Sequence, residues 1–192
     1  MKRALLIGSE TGGLGGVHAD VEVLDDALTR LGFTTIPTIE DAATADGIRG
    51  RYRELIEDTR SDDAVVVYYS GHGGRVWTDD VRGWLQFIVP TDAHDLSGDH
   101  MRLVLAEELS LLQAELTDRT RNVTVVLDCC HAARMSRDPA MLPKADDRFA
   151  RLAGPDLVER RRAVSGAAQG ADANPDAVHR ARRHVRPRRP ER

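Results

Sequence analysis

The stretch "VVVYYSGHGG" runs into a histidine, His72, held between glycines, and the only two cysteines of the 192-residue chain stand side by side further on, in "VTVVLDCCHAARM". A thiol carries out acyl transfer once three needs are met: conversion to thiolate, an acid for the departing amine, and donors for the oxyanion of the tetrahedral intermediate. A histidine at a neighbouring strand end meets the first two. The N–H of Gly73, together with that of the cysteine, meets the third. The glycines on either side of His72 are read as clearing room for a substrate.

These groups need a scaffold that joins two distant segments. "RALLIG" reads as a strand passing into the glycine-rich "SETGGLGG". Val21, Leu24, Leu28 and Leu31 then fall at helical spacing from His18 to Leu31, with Gly32 as the C-terminal cap. "FTTIPT" predicts a second strand, and Ile48, Tyr52, Leu55 and Ile56 give a second helix its apolar side. "DDAVVVYYS" is continuously apolar, as expected of a parallel strand covered on both faces. A long polar excursion follows, containing "WLQFIVPTDAHD", a strand or ribbon ending at Pro90. A helix over 105–116 carries Leu105, Leu109, Leu112 and Leu116, and "NVTVVLD" is a fourth main strand. The alternation predicts an α/β sandwich with a mostly parallel sheet, in which ligand sites collect at the carboxyl ends of strands. The His72 and Cys130 segments both leave from such ends.

At 41% hydrophobic, a chain of this length buries one core rather than two. One domain is expected over 1–158, with a disordered arginine-rich tail over 159–192. The net charge of −4 is divided unevenly: residues 160–192 hold ten arginines against three acids and carry +7, leaving −11 on the rest. No run approaches the roughly 18 to 20 apolar residues of a bilayer span, and the apolar stretch after "MKR" is too short for a signal segment. The expected location is cytoplasmic, with no membrane partner and with reduced thiols. The tail lacks interleaved aromatics and offers no specific nucleic-acid site. "SETGGLGG" has neither a Gly-Lys-Ser/Thr ending nor a full Gly-x-Gly-x-x-Gly register, and is read as a flexible loop on the substrate side. His131 beside the two thiols lacks the ligand spacing of a zinc site.

"YYSGHGG" followed by "DCCH", with 58 positions from His72 to Cys130, resembles the caspase-like cysteine peptidases, most closely the metacaspase and bacterial caspase-like branch. "LLIG", Asp20 and "IVPTD" fall in supporting order, and the resemblance covers residues 3–135. It implies a caspase-like three-layer sandwich and a Cys-His dyad that cleaves peptide bonds. Cys130, which precedes the histidine of the motif, is then the nucleophile and His72 the general acid/base. The resemblance also implies that Asp20, Ser70 and Asp128 line the pocket for the residue before the scissile bond. Buried carboxylates there suit arginine or lysine, so the implied partners are proteins or peptides with basic residues. Arg134, Arg137, Lys144, Arg148 and Arg151 become expected self-processing sites. No cofactor is required and no metal sits in the site. Calcium, which activates some relatives, enters as an optional ligand, and the acidic clusters "SDD" and "TDD" have no recognisable ligand loop for it.

The chain departs from that pattern in three places. Cys129 stands where serine is usual and is expected to pack rather than react. "HAARM" replaces His-Ser-Gly. Residues 136–192 contain no strand-forming segment, so the family's final core strands are expected to be missing. The competing reading is therefore an inactive or truncated caspase-like module that acts as an interaction or signalling domain. The sequence leaves the oligomeric state open.

Overall fold

Along β1 (Lys2–Ser9), Leu5 and Ile7 enter one core while Ala4 and Leu6 enter another, so the strand is buried on both faces. The computed structural model describes residues 1–78, 83–93 and 102–129. After β1 come α1 (Val17–Arg30), β2 (Thr34–Thr38), α2 (Ala45–Asp58) and β3 (Ala64–Gly71). Three short strands follow, β4 (Gly73–Thr78), β5 (Gly83–Ile88) and β6 (Val104–Leu105), and then α3 (Ala106–Arg119) and β7 (Asn122–Asp128). The main sheet has the order β2-β1-β3-β7 and every pairing in it is parallel.

Helices cover both faces of this sheet, which makes the three layers expected from the alternation of elements. On one side Val21 and Leu28 of α1 pack on Ala4, Leu6 and Tyr68. On the other, Ile48, Tyr52 and Leu55 of α2 and Leu109, Leu112 and Leu116 of α3 pack on Leu5, Ile7, Val65, Val67 and Tyr69. The start of α2 is held by two side chains: Thr44 Oγ1 accepts from Gly47 N–H at 3.1 Å, and Asp92 Oδ1 accepts from Ala45 N–H at 2.8 Å. Gly32, at φ +81°, closes α1 in the left-handed conformation that glycine adopts without steric penalty.

The excursion read as polar is a second sheet. β4, β5 and β6 pair antiparallel in that order over a small core of Val76, Leu85, Phe87, Val89, Leu103 and Leu105. Trp77 and Trp84 face each other across β4 and β5 with ring centroids 5.5 Å apart, and the Arg75 guanidinium lies 4.3 Å from the Trp84 centroid. These contacts explain how "RVWT", with its charge and flanking glycines, forms a strand. β7 is an edge of the main sheet among the described residues, and its burial alternates. Val123, Val125 and Leu127 face the α2/α3 core, whereas Val126 is 45% exposed. Among the described residues no helix is long and apolar enough to cross a membrane. The expectations for residues 136–192, missing final strands and a disordered tail, lie outside the described residues.

Before β3, the Asp63 carboxylate ties the start of the sheet together. It pairs with the Met1 ammonium, accepts from Arg60 N–H at 3.0 Å and lies 3.6 Å from Arg3. The hydrogen bond from the ammonium, then that from Arg60, hold its pKa below the usual carboxylate value. Because the folded pKa lies below the unfolded value of about 3.9, the contribution to stability is full above that value and is lost as pH falls through the folded pKa. Urea unfolding of Asp63→Asn is therefore expected to show a destabilised protein at pH 7 and a gap to wild type that narrows below about pH 4. A gap constant with pH would contradict this account.

Candidate active site

His72 is the residue at which the chain leaves the parallel sheet for the antiparallel one. Its carbonyl accepts two hydrogen bonds, from Val89 N–H at 3.0 Å and from the Tyr69 hydroxyl at 2.9 Å. Val89 in turn offers its carbonyl to Ser9 Oγ at 2.7 Å and to Tyr69 Oη at 3.2 Å. Burial, and after it the proximity of Cys129, pushes the Tyr69 hydroxyl up, so it stays a protonated donor.

The glycines around His72 have a different purpose from the one the sequence implied. A Cβ on Gly71 would lie 2.6 Å from Tyr69 Oη and 2.9 Å from the Ser9 carbonyl, and one on Gly74 would lie 2.5 Å from the Phe87 ring. Both positions are closed by the protein's own packing rather than kept open for a ligand. The glycine that meets the imidazole is in the loop after β1. Gly12, at φ +60°, would place a Cβ 3.4 Å from His72 Nε2. The loop read as lying on the substrate side thus rests against the histidine ring. Glu10 and His18, at its two ends, approach to 3.8 Å between Oε2 and Nδ1.

Three of the residues implied by the resemblance come together around the end of β3, which His72 follows. Asp20 lies in the first turn of α1, where a carboxylate is favoured by the helix dipole. Ser70 Oγ donates to Asp20 Oδ2 at 3.1 Å, and Ser70 is in register with Asp128 across β3 and β7. Asp20 and Asp128 are exposed, not buried as the sequence reading assumed, while Ser70 between them is 4% exposed. Tyr68, which the sequence reading left in the core, belongs to the same cluster. Burial, then the negative charges of Asp128 and Asp20, push its hydroxyl up, against the opposing hydrogen bond with Ser70. The cluster is two carboxylates around a serine and a neutral phenol.

Cys129 is half-buried and packs against the α2/α3 core, on the side of β7 away from Asp128. Cys130 and the basic residues expected as processing sites lie outside the described residues. Gly73 opens β4 opposite Ile88.

The sequence profile of the family described as Caspase domain matches residues 1–185. Metacaspase-7 of Arabidopsis thaliana is 33% identical over 148 residues, covering 68% of this chain and 34% of the relative. Metacaspase III c of Phaeodactylum tricornutum is 26% identical over 174 residues, covering 79% of this chain and 48% of the relative. The chain thus spans a third to a half of the length of these curated relatives. Among solved structures, protein GSU0716 from Geobacter sulfurreducens shares the fold with a TM-score of 0.59 at 19% identity, over 83% of this chain and 65% of that one.

The Gly12 geometry gives a direct test. Gly12→Ala forces a side chain into the left-handed region and is expected to lower unfolding stability by about 1–2 kcal/mol and to shift the His72 imidazole NMR signals. Gly15→Ala, at a position with nothing within 4 Å of its Cβ, is expected to do neither.

Proposed function

The chain belongs to the caspase-domain family, and on that footing we propose that it is a cysteine endopeptidase with a Cys130–His72 dyad, cleaving after arginine or lysine and processing itself. The observation that carries this reading is the Asp20–Ser70–Asp128 cluster at the carboxyl ends of the adjacent parallel strands β3 and β7, with His72 following directly on β3. Cys129 is engaged in packing, which favours its neighbour as the reacting thiol.

In the proposed cycle the Cys130 thiolate attacks the carbonyl carbon. His72 protonates the leaving amine as the C–N bond breaks, then takes a proton from the water that hydrolyses the acyl-enzyme. The Val89 N–H bond to the His72 carbonyl sets the phase of the β4–β5 ladder so that Gly73 and Ile88 form a non-hydrogen-bonded pair. The Gly73 N–H then points away from β5, which suits an oxyanion donor. Two exposed carboxylates of like charge favour a cationic side chain, and the planar guanidinium of arginine matches them best.

Calcium stays an optional ligand in the proposal. In "SDD" the Asp63 carboxylate is already held by the Met1 ammonium, Arg60 and Arg3, and Asp79 and Asp80 of "TDD" lie outside the described residues. Among the described residues no three metal-ligating side chains converge. Turnover without a cofactor is part of the proposal. The second reading, an inactive interaction module, is favoured by Val126, which is 45% exposed on β7.

Hydrolysis of fluorogenic peptides ending in Arg, Lys or Asp, with and without calcium, separates the two readings. Cleavage after Arg or Lys is expected, abolished by Cys130→Ala and retained by Cys129→Ala. No cleavage by soluble, folded protein would favour the interaction module. Intact mass on prolonged incubation is expected to show cuts after Arg134, Arg137, Lys144, Arg148 or Arg151, and an unchanged mass would remove self-processing from the proposal.

A further inference from the structure

We propose that Tyr69 is a positioning residue for this site, fixing through one hydrogen bond both the His72 side chain and the Gly73 N–H. The proposal rests on the reading of His72 as the general acid/base. Tyr69 is 1% exposed, with its ring in the α2/α3 core and its hydroxyl beneath the turn that joins the two sheets. A buried hydroxyl without a partner is destabilising; here it is within hydrogen-bonding reach of two carbonyls, His72 at 2.9 Å and Val89 at 3.2 Å.

The consequence follows from peptide planarity. The His72–Gly73 bond is trans, so its C=O and N–H point in opposite directions. Tyr69 Oη and Val89 N–H both pull on the carbonyl, and together they aim the Gly73 N–H the other way. The Val89 bond alone ties the turn to β5 and leaves rotation about β3 open. Tyr69 closes that freedom from three residues back on the same strand, and with it the direction of the His72 Cα–Cβ bond. The 2.6 Å approach that a Cβ on Gly71 would make to Tyr69 Oη shows how little room the hydroxyl has to move. Tyrosine at 69 is then chosen for its hydroxyl, since phenylalanine would fill the same core volume.

Tyr69→Phe in the full chain tests this, because the ring and the Val89 bond both remain. The expected result is at least a tenfold loss in kcat with KM changed less than twofold, faster hydrogen exchange at the Val89 amide that bonds the His72 carbonyl, and broadened His72 imidazole signals, with the far-UV circular dichroism of wild type. Wild-type kcat, or Val89 and His72 signals identical to wild type, would overturn it. Activity surviving in His72→Ala would instead sink the dyad reading. If the wild-type chain cleaves no peptide, the NMR signals decide the positioning role by themselves.

Discussion

The carbonyl of His72 holds two sheets together. A parallel sheet needs helices on both faces, and an antiparallel ribbon needs a core of its own; one peptide group is where the chain passes from the first to the second. Val89 N–H and the Tyr69 hydroxyl both end on that carbonyl, and Ser9 Oγ anchors Val89 to the end of β1. The carboxyl ends of β1 and β3 and the exit of β5 are therefore bound at a single point, at His72.

Alternation along β3 divides the labour between two adjacent tyrosines. Tyr69 points to the α2/α3 side and grips the turn, while Tyr68 points to the α1 side and joins the acidic cluster. Burial pushes both hydroxyls up, so each remains a hydrogen-bond donor on its own face of the strand. The same period of two separates Cys129 from Asp128 on β7. A one-residue slip of β7 against β3 would exchange the packing and site faces, which is why the continuous apolar character of both strands matters less than their register.

The main sheet and its three helices were legible because their signals are periodic and local: Ile48, Tyr52, Leu55 and Ile56, read as one helix face, are all buried in α2. β4 was not legible. Its glycines answer to Tyr69 and Phe87, and its arginine to Trp84, which are distant or cross-strand partners with no signature in a short window. The link between Asp20 and Ser70 came through family resemblance, since a contact across 50 residues leaves no spacing to read. The exposure of Asp20 and Asp128, and the part played by Tyr68, depend on how α1 sits over the sheet. An aromatic residue in a buried strand reads as core, and only the placement of its hydroxyl says otherwise.

The excursion between His72 and α3 is fastened at its base. His72 is tied to Val89, Asp92 holds the first N–H of α2 and pairs with Arg102 at 3.3 Å, and Arg49 reaches the Leu103 carbonyl at 2.9 Å. Entry and exit are thus set by contacts that do not involve the tip between Thr78 and Gly83. Loop-closure entropy grows slowly, about 0.6 kcal/mol for each doubling of length, so the hairpin can be lengthened or replaced at its tip with the geometry at His72 unchanged. That makes the antiparallel sheet an appendage hung from a fixed base, whose outer end can change in length while the base keeps its geometry.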